Sequence, residues 1–379
     1  MIDVIIPVYK GLNQTRRCID SVLGSAQATP FEIVAVNDAT PDPEITRYLD
    51  ELSGRGRITL VRNDSNLGFV QSVNRGMARN PDRDVVLLNS DTEVANDWLD
   101  RLLRDAYAYQ DIGTVTPFSN NATICSYPFE GWTGGVPGTL GLAALDRLFA
   151  STNAGRIVEL PTAVGFCMCI RRACLDQVGL FDAQRFGRGY GEENDFCMRA
   201  ASAGWRNVLA GDVFVYHEGA VSFSGERLAL TETAGRTLAD LHPDYLRRVR
   251  AYVQQDPAGA LRAAVDSARV AHDTDELRHV LAERTEERAL MKARLTEAEI
   301  YCDEREPLIA ELRKGLALAE TLLAERDAEI VRLRAGLSHA EALAFERAGE
   351  LAELQKSWIW KWRIYFMRRK ARRAPPPPA

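Results

Sequence analysis

The chain predicts an α/β domain on a mostly parallel sheet, followed by a long α-helical coiled coil, and three observations carry that prediction. Before Asp91, four apolar runs each stop at small polar groups, and helical segments separate one run from the next, which is the spacing of βαβ units. The runs are nearly continuous in Val, Ile and Leu, as in strands covered on both faces. From Leu295 onward the apolar period becomes seven.

Residues 2–8, IDVIIPV, read as the first buried strand, stopped at Pro7 and followed by the loop YKGLN. A helix is expected from Thr15 to Ala26. Phe31–Val36 is the second strand and ends at Asn37 and Asp38; a helix follows from Pro43 to Leu52. Strand Ile58–Val61, the loop RNDSNLGF and helix Phe69–Arg79 make a third unit. The fourth strand, DVVLLNSDT, delivers Asn89, Ser90 and Asp91 to the carboxyl edge, where loops splay into a ligand crevice. Such an Asp also reads as a helix N-cap.

Residues 114–138, rich in Asn, Thr, Ser, Pro and Gly, read as a long functional loop. Ala163–Ile170 is apolar again, and GLFD leads into a glycine-rich loop opening the helix that starts GEENDFCMRA. A short last strand, Val213–Tyr216, ends at His217. The globular part is expected to close between Leu230 and Asp256. Counting by sevens from Leu295 reaches Ile309, Leu316, Leu323, Ile330, Leu337 and Leu351, with Arg305, Arg326 and Arg347 as flaws in the companion row. Pro307 fits only a first helical turn, so the firm coil starts there and its rise carries it about 70 Å. A solitary stripe of that length calls for self-association.

The net charge of −6 conceals a division. From Ser357 on there are seven Lys or Arg and no acid, which leaves −13 on the residues before it. So acidic a body argues against nucleic acid as the main partner. The tail, WIWKWRIYFMRRKARRAPPPPA, interleaves tryptophan with cations, which suits a membrane surface or a coil end packed on a partner. Seven cysteines without paired metal spacing suggest free thiols in a reducing compartment. The opening strand-like residues give no expectation of secretion, and no run approaches a bilayer span.

Taken in order, IIPVYKG, NDATPD, NLGF with Asn74 downstream, LLNSD, GFCMCIRR, GLFD and GEENDFCMRA resemble the family-two glycosyltransferases of GT-A fold over roughly residues 1–225. The resemblance implies that Pro7, Tyr9 and Asp38 line the nucleotide base and ribose, with Asn66, Gly68, Asn74 and Asn89 beside them. It implies that Asp91 holds a divalent cation, Mn²⁺ or Mg²⁺, on the donor diphosphate. Many members carry two acids at this turn where this chain has Asn89, Ser90, Asp91, so His217 is expected as a further metal ligand. Glu193 stands where the family's base is usually Asp, with Glu192 a contender for that role and Asp195 expected to hold the acceptor. Acids in a helix's first turn are also favoured by its dipole alone.

The implied enzyme is a metal-dependent, inverting transferase of a hexosyl or rhamnosyl unit from a UDP, GDP or dTDP sugar. Its acceptor is a glycan or lipid-linked glycan in cell-surface polysaccharide synthesis. The expected placement is cytoplasmic, with possible peripheral contact at the inner membrane face through the tail. The coil would pair with another copy or a partner enzyme. The other reading is a scaffold or chain-length ruler with an inactive head. The expected division is 1–250 catalytic, 251–306 helical connector, 307–356 coiled coil and 357–379 basic tail.

Overall fold

Ile2, Val4, Ile5, Ile6 and Val8 are each at most 1% exposed, so Ile2–Val8 (β1) is covered on both faces. Each such side chain contributes about 1.5–3 kcal/mol by leaving water. The computed structural model describes residues 1–219, 227–302 and 306–371, which fall into two units, Met1–His272 and Asp273–Ala379. The first unit therefore includes residues 251–272, beyond the expected edge at 250.

After β1 come α1 (Leu12–Gly24), β2 (Phe31–Asn37), α2 (Pro43–Gly54), β3 (Thr59–Arg62), α3 (Phe69–Met77) and β4 (Val85–Leu88). Helix α2 starts as its sequence dictates, with Pro43 in the first turn and Asp42 accepting the Glu44 amide. Then follow β5 (Thr92–Glu93), α4 (Trp98–Ala106), β6 (Ile112–Ser119), α5 (Leu142–Thr152), β7 (Ile157–Leu160) and β8 (Cys167–Ile170). The unit is completed by α6 (Arg172–Val178), α7 (Ala183–Phe186), α8 (Glu192–Ser202), β9 (Arg206–His217), α9 (Arg227–Leu241), α10 (Tyr245–Gln255) and α11 (Gly259–His272).

The sheet order is β3-β2-β1-β4-β8-β6-β9-β5, with β7 paired to β9. β3, β2, β1 and β4 run parallel, so their carboxyl ends share one rim. β8 is antiparallel to both β4 and β6, and β6 is parallel to β9. The start of β8 and the ends of β6 and β9 therefore reach the same rim. That geometry, and not sequence proximity, collects residues 7–9, 38, 66–68, 89–91, 165–166 and 217.

Two expectations are corrected. Thr114–Ser119 is strand and not loop: β6 is buried along its whole length, and Pro117 is accommodated beside a register shift between Pro117 and Phe118. β9 is far longer than Val213–Tyr216. Gly211 and Asp212 interrupt the apolar pattern without ending the strand: a Cβ at Gly211 would lie 2.5 Å from the Arg156 carbonyl oxygen, and the buried Asp212 carboxylate is paired with Arg104.

Those partners make a pH-sensitive joint. Arg104 Nη2 lies 2.6 Å from both Asp105 Oδ1 and Asp212 Oδ2, and the Gly155 amide donates to Asp212 at 2.9 Å. Burial, and then the charge of Asp212, push Asp105 up from 3.8 to about 7. The folded state thus keeps a proton the unfolded chain releases; this stabilisation is complete below pH 3.8 and is lost as pH rises through 7. Asp105→Asn, which needs no proton, is expected to melt on the order of 5 °C above wild type at pH 8 and nearly with it at pH 4. Differential scanning calorimetry at the two pH values checks this, and destabilisation at both would mean that the Arg104 pair dominates.

The second unit holds α12 (Thr274–Cys302) and α13 (Glu306–Ala371). Arg288 pairs with Asp327 at 2.6 Å and Arg278 with Glu341 at 3.2 Å, so the helices run antiparallel side by side. The heptad positions Leu316, Leu323, Leu333 and Leu337 are half-buried and Ile330 is 6% exposed. Arg326, a flaw in the seam by its sequence, lies 2.8 Å from Glu329 and 3.8 Å from Glu287 of α12. The stripe thus has α12 of its own chain beside it. Past the Glu341 pairing, Ala344 and Arg347 are exposed. Arg305 and the end of the tail, residues 372–379, lie outside the described residues. Cys18, Cys125, Cys167, Cys169, Cys174 and Cys197 are free and buried, as expected of small hydrophobes.

Candidate active site

At the rim, β5 pairs with the end of β9 so that Thr92 opposes His217, and the Glu218 amide donates to the Asp91 carbonyl at 3.0 Å. This brings Asp91 Oδ1 to 3.5 Å from His217 Nε2, both side chains about one-sixth exposed at 16% and 14%. Three contacts fix the imidazole. Asn120 clamps the His217 backbone, accepting its amide at 2.8 Å and donating to its carbonyl at 2.9 Å. The Phe166 ring stacks on the imidazole with centroids 5.3 Å apart. Nδ1 lies 2.7 Å from the Asn121 carbonyl, which can only accept, so Nδ1 carries the hydrogen and the Nε2 lone pair faces Asp91. Two acceptors facing one another favour a proton or a cation between them, and a carboxylate with a neutral imidazole is a fitting donor pair for Mn²⁺ or Mg²⁺. Among the described residues no cluster of three or more such ligands exists, so further donors would come from the bound substrate and water.

The acids of α8 come up to the same segment. An ideal Cβ on Gly165 would be 3.7 Å from Glu193, while the next residue, Phe166, lies on His217. Thr162 donates to Asn194 Oδ1 at 2.7 Å, and the Ala163 amide reaches Cys197 Sγ at 3.2 Å, which holds 162–166 against the helix start. Glu192 is 4% exposed, and among the described residues neither its Oε2 nor that of Glu193 has a hydrogen-bond partner. Burial, and then the charge of Glu193, push Glu192 well above the glutamate range. Burial also raises Glu193, against the downward pull of backbone amides at the helix start. Two buried acids side by side resist double ionisation, and the amides at the helix start favour Glu193 as the member that gives up its proton.

Asp195 departs from expectation. Its Oδ2 accepts from Arg199 Nε at 2.8 Å and its Oδ1 is 2.8 Å from His242 Nε2, at 3% exposure, so both oxygens are spent inside the protein and are poorly placed to hold an acceptor. Its role is structural: Arg199 continues to the carbonyls of Val178 and Leu180, and His242 ties the end of α9 to α8. His242 carries no sequence signal, being a lone histidine remote in the chain from its partner. His242→Ala is expected to lower kcat about 10-fold with little change in KM by loosening the glutamate pair, and His242→Gln to restore most of it. Steady-state kinetics on both variants decide this.

The nucleotide-side residues divide similarly. Asp38 Oδ1 accepts from Asn63 Nδ2 and the Leu67 amide, both at 2.7 Å, and Oδ2 accepts the Gly68 amide at 2.9 Å. At 4% exposure Asp38 pins the 63–68 loop and offers a base little free edge. Asn66 accepts the Gly68 amide at 3.1 Å and Arg188 Nη2 at 3.2 Å. Gly68 sits at φ 84°, and a Cβ there would be 2.8 Å from Arg188 Cα, so glycine is required for the two loops to touch. Asn74 donates to the Phe181 carbonyl at 2.8 Å and accepts the Phe181 amide at 3.1 Å, so its side chain fastens α3 to the GLFD turn. Pro7, Tyr9 and Asn89 remain at the rim, each half-buried.

Residues 3–179 match the family model for Glycosyl transferase family 2. An uncharacterised protein of Sinorhizobium fredii, y4gI, is 24% identical over 235 residues, 59% of this chain and 25% of its own length. Glycosyltransferase GlyA of Streptococcus pneumoniae is 31% identical over 132 residues, 34% of this chain and 18% of its own length. The chain thus spans a quarter or less of the curated relatives it matches. Among solved structures, mannosyltransferase PcManGT from Pyrobaculum calidifontis, in complex with GDP-Man and Mn²⁺, aligns at 15% identity and TM-score 0.47 over 87% of this chain and 86% of its own. By that match residues 3–179 form a family-two glycosyltransferase domain, set on the mostly parallel, helix-flanked sheet of the GT-A fold.

Proposed function

We propose that this chain transfers a sugar, with inversion, from a nucleoside-diphosphate donor to a hydroxyl of a glycan or lipid-linked glycan. The single observation behind the proposal is that consecutive residues, Gly165 and Phe166, adjoin Glu193 and the His217 of the Asp91–His217 pair respectively. An acid with a raised pKa thus faces the same segment as a cation-binding pair, which is what a displacement expelling a diphosphate requires.

In this reading ionised Glu193 takes the proton of the acceptor hydroxyl as its oxygen attacks the anomeric carbon. The bond from that carbon to the diphosphate breaks, and its electron pair leaves on the phosphate oxygen. Glu192, held neutral by burial, leaves Glu193 the sole carboxylate of the pair. Asp91 and His217 would hold a divalent cation. Such a cation supplies positive charge to the departing diphosphate. Asn120, Asn121 and Phe166 keep the imidazole aimed, so little reorganisation is needed when the donor arrives.

UDP, GDP and dTDP sugars, with hexosyl and rhamnosyl units among them, are the donors to test, and a role in surface-polysaccharide synthesis is part of the proposal. Calorimetric titration of these donors with Mn²⁺ should give one that binds and is slowly hydrolysed. NMR of the product formed on a glycan acceptor should show the opposite anomeric configuration to the donor. Binding of none of the donors, or retention of configuration, would overturn the reading.

A further inference from the structure

The distal part of α13 presents a surface that the catalytic reading does not use. Trp362 is 49% exposed, Tyr365 57%, Phe366 54% and Met367 62%. The three aromatic residues form one packed cluster: ring centroids are 6.3 Å apart for Trp362–Tyr365, 5.5 Å for Trp362–Phe366 and 5.9 Å for Tyr365–Phe366. Their spacing of three and four places them on one helical face, and Lys361, Arg363 and Arg368, all exposed, flank it.

We propose that this face binds an anionic lipid bilayer, with α13 lying in the plane of the interface. Charge decides the occupant. From Ser357 onward there are seven cations and no acid, so a second copy laid on this face in parallel would oppose like charges with nothing to offset them. A bilayer with anionic headgroups meets both demands, with rings at headgroup depth and cations against phosphate. No described helix is long and apolar enough to cross a membrane, which leaves the in-plane arrangement for this segment. The proposal does not depend on the transferase reading.

The full chain should float with vesicles of phosphatidylcholine and phosphatidylglycerol and stay in solution with phosphatidylcholine alone. Binding should weaken as salt rises. Lys361→Glu with Arg363→Glu and Arg368→Glu should lower partitioning about 100-fold or more, since each basic group at such a surface accounts for roughly a fivefold gain. Trp362→Ser with Tyr365→Ser and Phe366→Ser should abolish flotation, with the melting temperature of each variant unchanged to show an intact fold. Equal flotation with both vesicles, no flotation, or flotation retained by the aromatic variant would overturn the proposal. So would a wild-type dimer in solution that the aromatic substitutions dissociate, because the face would then be occupied by a second copy.

Discussion

Glu193→Gln is expected to lower kcat for transfer about 1,000-fold while donor affinity stays within about twofold, the signature of a lost general base. Glutamine keeps the shape and loses the capacity to accept a proton, so thermal stability should not fall. The same argument makes a contrasting demand on Glu192. If burial and the Glu193 charge keep Glu192 neutral, then Glu192→Gln replaces one neutral group by another and costs less than about 10-fold. A reversed order of effects would exchange the two roles. The pH profile adds a second reading of the same site. Glu193 must be ionised to act, so the rate rises with pH through its pKa, and burial places that rise above the ordinary glutamate range. A wild-type acid limb at the ordinary glutamate position would contradict the desolvated setting. One that vanishes in Glu193→Gln would assign it.

The parallel half of the sheet was legible because its physics is local: apolar runs buried on both faces must be strands, and small polar residues must end them. Asp91 and His217 were legible as partners only through the resemblance, since nothing in residues 91–217 announces that β5 will oppose the end of β9. The middle of the domain was harder. Pro117 in β6 and Gly211–Asp212 in β9 are breakers in a local reading, and each is tolerated by a tertiary feature, a register shift in one case and the Arg156 carbonyl with the Arg101 and Arg104 guanidinium groups in the other. Asn74, Asp38 and Asp195 show the opposite error. Each belongs to the right region, but its side chain is engaged in fastening one segment to another, and sequence cannot show which polar side chains are already so engaged. In the helical region the heptad positions from Leu316 to Leu337 lie half-buried or buried, while the helix that runs beside them carries no local signal. The charge pairs that dock α12 on α13 link residues far apart in sequence, and no local period encodes them.

Asp91→Asn should cost as much as losing the base, about 100- to 1,000-fold in kcat, but through a different variable. The wild-type pair sets a carboxylate 3.5 Å from the free lone pair of a histidine whose other nitrogen is committed to the Asn121 carbonyl. An amide can turn its NH₂ toward Nε2 and satisfy it by a hydrogen bond, closing the gap a cation would occupy. The variant should therefore fold normally and bind Mn²⁺ about 100-fold more weakly, as measured by calorimetry with donor diphosphate present, a readout independent of turnover. His217→Ala should weaken Mn²⁺ by a comparable factor, since it removes the second donor. The double variant should be little worse than either single one, because two ligands of one ion act as a unit. Additive losses, or Mn²⁺ affinity unchanged in Asp91→Asn while activity falls, would mean that the two residues serve separate ends and that Asp91 contacts the sugar directly. The chemistry at this rim would then rest on Glu193 alone.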